Sequence, residues 1–233
     1  MNEDFRYIVQ RRLPEVGKTG QRKLNDARIL IVGCGALGSP IAMYLAGAGI
    51  GHIHLADFDN IELSNLHRQV FYREEEVGKA KAEVLAQRLR ELNSSIEITF
   101  DNSLVNLQYL KSQPKFDVII DAADNPSTTY MLDDYCKSNQ VPLSTAGVTG
   151  WKAQVFTYIP GSYSYSDCFP KPAENSGLLP CSVSGIVGPT ASLAASIQAS
   201  EVLKLILGIS KDCRSNLVTV DLLNNEYISL NSD

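Results

Sequence analysis

Arg28-Ile-Leu-Ile-Val-Gly-Cys-Gly-Ala-Leu-Gly38 decides how this 233-residue chain folds. Its first five residues form an unbroken apolar and β-branched run, which suits a strand covered on both faces in a parallel sheet. The run passes directly into Gly33-x-Gly35-x-x-Gly38, and from 39 to 49 small and apolar residues recur at helical spacing. Gly49-Ile-Gly51 stops that helix, and a second strand is expected over 52–57. The result is a βαβ unit whose glycines let backbone N–H groups and a helix N-terminus approach phosphate. Asp57 ends the second strand, at the distance of about 20 residues where an acidic side chain accepts hydrogen bonds from ribose hydroxyls. Gly33, Gly35, Gly38 and Asp57 therefore point to a bound nucleotide, without choosing between NAD and ATP.

Outward from this unit the alternation continues. Helices are expected over 79–92, 105–111 and 128–139, and strands over 96–100, 116–121 and 141–146. An alternating strand over 151–159 begins a different style of structure. Residues 160–184, rich in Pro and Ser, carry little periodicity and read as a functional crossing loop. A long helix of small residues follows over 186–207. Strands at 217–223 and 226–230 form a hairpin turned at Asn224-Asn225, since Asn tolerates left-handed dihedrals. The fold class is α/β: a Rossmann-like, doubly wound and mostly parallel sheet, extended by antiparallel C-terminal strands, in one domain over 1–233.

Composition narrows the function. The chain is 44% hydrophobic and 20% charged, with a net charge of -5, so it has no excess of positive charge to displace counterions from nucleic acid. Five scattered cysteines (Cys34, Cys136, Cys168, Cys181, Cys213) include no short CxxC pair, which argues for reduced thiols and a cytosolic setting. Met1 to Arg12 lacks an apolar signal core, and the longest apolar run, 36–50, is short and broken by glycines. No membrane insertion is expected.

The segment after Asp57 chooses the nucleotide. Asp57-Phe-Asp59-Asn-Ile-Glu-Leu-Ser64-Asn65-Leu-His67-Arg68-Gln69 and Gly78-Lys79-Ala-Lys81 place cations and amides just beyond the ribose-binding strand. A dehydrogenase has little use for them, whereas a triphosphate needs them for its charged tail. A charged surface loop is the plainer explanation, with Arg68 and Lys81 in exposed ion pairs and Asp124 capping a helix ahead of Thr128.

These motifs, in this order, resemble the E1-like adenylating enzymes of the ThiF, MoeB and HesA family, closest to ThiF and MoeB. The resemblance runs from about 6 to 230. It rests on GxGxxG at 33–38, D-x-D…SNLxRQ at 57–69, VGxxK at 77–81, D-x-x-D-N at 121–125, and the glycine-flanked stretch 181–189. It implies that Gly35 and neighbouring backbone contact phosphate and Asp57 the ribose. Asn65, Arg68 and Gln69 hold the triphosphate with Lys81, and Asp59 belongs to the same block. Asp124 holds Mg²⁺ through ATP, and Asn125 shapes the site. It also implies an activity: adenylation, by ATP and Mg²⁺, of the C-terminal Gly carboxylate of a ubiquitin-like sulfur carrier such as ThiS or MoaD, by a homodimer, for thiamine or molybdopterin synthesis. Arg68, Lys81 and Asp124 would stabilise charge. Cys181 would supply a thiol reachable by the activated carrier. Related activities on a peptide or a tRNA base, or a scaffold that binds ATP without turnover, are the alternatives.

Two positions depart from the family pattern. Many relatives bind structural zinc with two CxxC pairs; here Cys168 stands where a second cysteine would be but Tyr165 occupies the position three before it, so no zinc is expected. Relatives read R-Y-x-R-Q near the N-terminus, where this chain reads Arg6-Tyr7-Ile8-Val9-Gln10. Val9 cannot reach a neighbouring ATP as an arginine would, which leaves Arg6, Arg11 or Arg12 to substitute.

Overall fold

The computed structural model describes residues 3–171, 185–209 and 215–231. The chain opens with α1 (Glu3–Arg6), a 3-10 turn at Gln10–Arg12 and α2 (Gly17–Asp26), then enters β1 (Arg28–Val32). After it come α3 (Gly38–Ala48), β2 (His52–Ala56), 3-10 turns at Leu63–Asn65 and Glu74–Glu76, α4 (Lys81–Leu92), β3 (Glu97–Asp101), α5 (Leu107–Ser112) and β4 (Val118–Asp121). The last part holds α6 (Pro126–Asn139), β5 (Leu143–Thr149), β6 (Lys152–Tyr158), α7 (Tyr165–Cys168), α8 (Gly188–Leu207), β7 (Asn216–Asp221) and β8 (Glu226–Asn231).

All eight strands join one sheet in the order β3-β2-β1-β4-β5-β6-β7-β8. The first five are parallel. The last three run antiparallel, each pairing with its predecessor, as the change of style after 151 implies. The strand order reverses between β1 and β4, because the chain leaves β1 toward β2 on one side and reaches β4 on the other. A crevice opens at such a switch point, beyond the carboxyl ends of the strands.

Pleating sends alternate residues of β1 to two separate cores. Ile29 and Ile31 share a core with Ile41 and Leu45 of α3, Leu85 and Leu89 of α4, and Ala194 and Ala199 of α8. Leu30 and Val32 share the other with Leu110 of α5 and Leu132 and Cys136 of α6. Ile29, Leu30 and Ile31 are all 0% exposed, each burial contributing ~1.5–3 kcal/mol. That double coverage is why no polar residue interrupts the run. The α8 helix, 20 residues long, is apolar enough by length and composition to cross a membrane. Its small residues Ala191, Ala194, Ala195 and Ala199 are buried, and it packs on α3, β5 and β6.

Turn chemistry follows the sequence closely. Gly49 ends α3 at φ 85°, and Asn225 turns the β7–β8 hairpin at φ 57°. Among the elements not legible are α2 and α7. Gly17 and Gly20 weaken the helical signal of α2, yet Gly20 sits close to its neighbours, where a Cβ would stand 2.8 Å from the end of the Leu207 side chain and 3.3 Å from the Glu15 carbonyl oxygen. α7 lies inside the expected crossing loop and has only four residues. Tertiary bonds hold it: the fully buried Asp133 carboxylate accepts from the backbone N–H of Tyr165 (2.8 Å) and of Ser166 (2.9 Å).

Candidate functional site

A cavity of about 280 Å³ lies at the switch point, at the carboxyl ends of β1, β2, β4 and β5. Its glycine corner is built by close approach. Gly33 has φ 94°, and a Cβ there would lie 2.6 Å from the Ala122 carbonyl oxygen, so the corner presses against the end of β4. Gly33 and Gly35 line the cavity and Gly38 does not. A Cβ on Gly38 would fall 1.9 Å from the Gly33 carbonyl oxygen, so this third glycine is needed to close the turn.

Asp57 follows β2 into the cavity wall. Its Oδ2 accepts from the backbone N–H of Cys34 (2.6 Å) and its Oδ1 from that of Asp59 (2.7 Å). The carboxylate is thereby fixed in orientation while each oxygen keeps a further lone pair for a ligand hydroxyl. Burial pushes its pKa above the usual carboxylate range, against the opposing pull of these two N–H groups and of Lys81.

The cations of the next segment converge here. Arg68 and Lys81 both line the cavity, with Asp59 and Gln69. Lys81, first residue of α4 and 5% exposed, donates to Asp59 Oδ2 at 2.9 Å. Gln69 is 5% exposed, and its Oε1 has no partner among the described residues. Asn65 is buried beneath the same turn and is not among the lining residues.

The opposite wall comes from β4 and β5. Asp121 is fully buried, and its Oδ2 accepts from the hydroxyls of Thr129 (2.6 Å) and Thr145 (2.8 Å). Its Oδ1 accepts from the Ala123 N–H at 3.1 Å, which orients the following residues. Asp124 and Asn125 line the cavity. Asn125, not Asp124, caps α6, its Oδ1 accepting from the Thr128 N–H at 2.9 Å. Asp124 is thus not used as the helix cap. Sequence reasoning missed Thr145, Gln154 and the aromatic end of the cavity formed by Phe156, Tyr165 and Phe169. Only strand alternation hinted that Gln154 and Phe156, two residues apart in β6, share a face, and nothing in the sequence joined α7 to them.

The cysteines divide differently. Cys34 is 0% exposed behind the corner, and burial pushes its thiol up. Cys136 is in the α6 core, and Cys168 is exposed. Cys181 and Cys213 lie outside the described residues. Tyr165 packs its ring on Tyr130, Phe156 and Phe169. Val9 is 70% exposed. Arg6 donates to the Leu92 carbonyl, and Arg6, Arg11 and Arg12 are not among the residues that line the cavity.

These groups fit ATP: a glycine corner for phosphate, an oriented carboxylate for ribose, and two cations for the tail. Among the described residues no cluster of three or more His, Cys, Asp and Glu could hold a metal alone. Mg²⁺ would take Asp124 together with ATP oxygens and waters, the mixed ligand set this ion accepts.

Comparison with known proteins gives concordant results. Residues 7–232 match the ThiF family. "Adenylyltransferase and sulfurtransferase MOCS3" of Xenopus laevis is 37% identical over 228 residues, covering 96% of this chain and 50% of that protein. "Adenylyltransferase and sulfurtransferase MOCS3-1" of Zea mays is 36% identical, covering 94% and 47%. The chain thus spans about half the length of the curated relatives it matches. Among solved structures, E. coli MccB with ATP has a TM-score of 0.79 at 30% identity, covering 91% of this chain and 65% of that one. E. coli MccB with MccA has a TM-score of 0.84 at 28% identity, covering 100% and 72%.

Proposed function

This chain belongs to the ThiF family, and from that premise we propose that it is an ATP-dependent adenylyltransferase acting on the C-terminal Gly carboxylate of a ubiquitin-like sulfur carrier of the ThiS or MoaD kind. The observation that carries this proposal is the convergence of Asp57, Arg68, Lys81 and Asp124 on one cavity at the switch point. Adenylation brings two anions together, since the carboxylate oxygen attacks the α-phosphorus and pyrophosphate leaves. The carboxylate is already ionised at neutral pH, so no general base is needed. What this chain supplies is position and charge. The Gly33–Gly35 backbone cradles phosphate, Asp57 holds the ribose, and Arg68 and Lys81 draw off the charge of the departing pyrophosphate. Asp124 would hold Mg²⁺ together with ATP oxygens, and the ion would supply further charge screening there.

Sulfur transfer onto the activated carrier, for thiamine or molybdopterin synthesis, and a homodimeric assembly belong to the same proposal. A second reading replaces the folded carrier by a peptide; the likeness of the whole chain to MccB bound to MccA favours it. ATP–pyrophosphate exchange separates them. Exchange that requires a carrier with its terminal Gly intact is the expected result. Exchange with short peptides alone would move the assignment to the second reading, and no exchange with either class would sink both.

A further inference from the structure

We propose that His67 is a positioning residue: its ring fixes the Arg68 guanidinium so that only one edge of that cation is offered to the cavity. The proposal rests on the cavity being a nucleotide site and adds a role that the ribose and phosphate ligands do not include.

The geometry is local and specific. Arg68 Nη1 donates to the Ser64 carbonyl oxygen at 3.1 Å and to His67 Nε2 at 2.9 Å. Nη1 carries two hydrogens, so these two acceptors use both. The Nε–H and the two Nη2–H groups meet no acceptor among the described residues, and the Nε–H with the neighbouring Nη2–H forms the planar edge that matches a phosphate or carboxylate bidentately. For His67 Nε2 to accept, the ring must be neutral with its proton on Nδ1. An imidazole is suited to this task because it presents a lone pair without a second charge beside the cation.

The backbone beneath the pair is fixed independently. Arg68 N–H and Gln69 N–H both donate to the Asn65 carbonyl, at 3.0 and 2.9 Å. Gly188, the first residue of α8, lies against the same turn: a Cβ there would stand 3.1 Å from the His67 carbonyl oxygen and 3.4 Å from Arg68 Cα. With the turn held, the remaining freedom is in the long arginine side chain, and freezing its rotamers before the ligand arrives lowers the entropic cost of binding. Ser64 O alone would leave the guanidinium free to rotate about one bond; the second acceptor removes that rotation. His52 bonds Glu97 and His54 bonds Thr99 and Tyr109, so His67 is the one histidine of the chain that meets a cavity cation.

Calorimetric titration with ATP and Mg²⁺ tests this. His67 is exposed, so its substitution leaves the core untouched. His67→Leu is expected to weaken ATP binding about threefold to tenfold, the range of one lost hydrogen bond. His67→Gln, which keeps an acceptor, is expected to restore most of it. In an Arg68→Ala background His67→Leu is expected to change nothing more, because the residue acts only through Arg68. A loss that persists undiminished in that background, or a His67→Gln variant as weak as His67→Leu, would overturn the proposal. Absence of any ATP binding by the unaltered chain would overturn it together with the nucleotide site itself.

Discussion

Lys81 is tied to Asp59 twice: its ammonium lies 2.9 Å from Asp59 Oδ2, and its backbone N–H lies 3.0 Å from the Asp59 carbonyl oxygen. The backbone bond sets where α4 begins, and the side-chain bond holds a nearly buried cation at the cavity wall. The partners differ in exposure, 7% for the lysine side chain and 49% for the aspartate. Asp59 can therefore turn to water when an anionic ligand takes its place. Lys81→Met keeps the apolar stem and removes only the charge. It should leave the melting temperature within a few degrees and weaken ATP binding about tenfold to a hundredfold, the scale of a charge-assisted hydrogen bond. Asp59→Asn should instead act on the fold, costing about 1 kcal/mol because the ammonium loses its counter-charge. Denaturant unfolding with calorimetry on both variants checks the pair, and unchanged ATP affinity in Lys81→Met would remove this residue from the site.

The three glycines of the corner should fail in different ways when given a methyl group. At Gly38 the new Cβ would meet backbone, the Gly33 carbonyl oxygen, at 1.9 Å. At Gly35 the nearest atom is Gln69 Nε2 at 3.3 Å, the end of a flexible side chain. Gly38→Ala is thus expected to cost more than about 3 kcal/mol of stability through backbone displacement, whereas Gly35→Ala should fold normally and bind ATP more weakly. Equal stability of the two variants would contradict the assignment of Gly38 to the turn.

Asp57 gives the site a pH dependence of definite sign. Its folded-state pKa is raised, with burial as the largest cause, so it takes up a proton at a higher pH than an ordinary carboxyl. A protonated Asp57 loses acceptor capacity for ribose hydroxyls. ATP affinity should therefore fall as pH is lowered through the region just above the usual carboxylate range, before exposed acids titrate. The same shift means that the folded state binds this proton more tightly than the unfolded state. Asp57 consequently opposes folding once pH rises through its folded-state pKa, and that penalty is relieved below it. Asp57→Asn should flatten the affinity profile in that window; an unchanged profile would assign the titration elsewhere.

What the sequence made legible follows from how local the determining physics is. β1, α3, their glycine corner and Asp57 are set by residues within a single βαβ unit, and the switch point follows from alternation of strand and helix. Arg68 and Lys81 could be placed because motif order carries their positions, although Lys81 is buried where an exposed pair was the plainer expectation. The roles of Gly38, Asn65 and Asn125 differ because they depend on which atom faces which neighbour. Spacing says that a glycine is needed at 38 but not that the Gly33 carbonyl is the reason. Asp133 and the aromatic end of the cavity were invisible for the same reason, since α6, β6 and α7 meet only in the tertiary structure.

Asp133 offers the sharpest test of that last point. Its two carboxylate oxygens each accept one backbone N–H at the start of α7, from Tyr165 and Ser166. Ser164 and Asp167 close the same turn with a capping box, and Lys137 pairs with Asp167 at 2.8 Å on the surface. Asp133→Asn keeps the shape but turns one acceptor into a donor that faces an N–H. One buried amide is then left unpaired, at a cost of about 1–3 kcal/mol. Lys137→Met removes only an exposed ion pair, worth about 1 kcal/mol or less. Hydrogen exchange at Tyr165 and Ser166 should accelerate strongly in Asp133→Asn and little in Lys137→Met, while amides of β1 and β4 keep their protection in both. Because Tyr165 and Phe169 line the cavity, Asp133→Asn should also weaken ligand binding there, whereas Lys137→Met should not. If Lys137→Met proved the more disruptive of the two, α7 would be held from the surface, and the buried carboxylate would have no part in shaping the cavity wall.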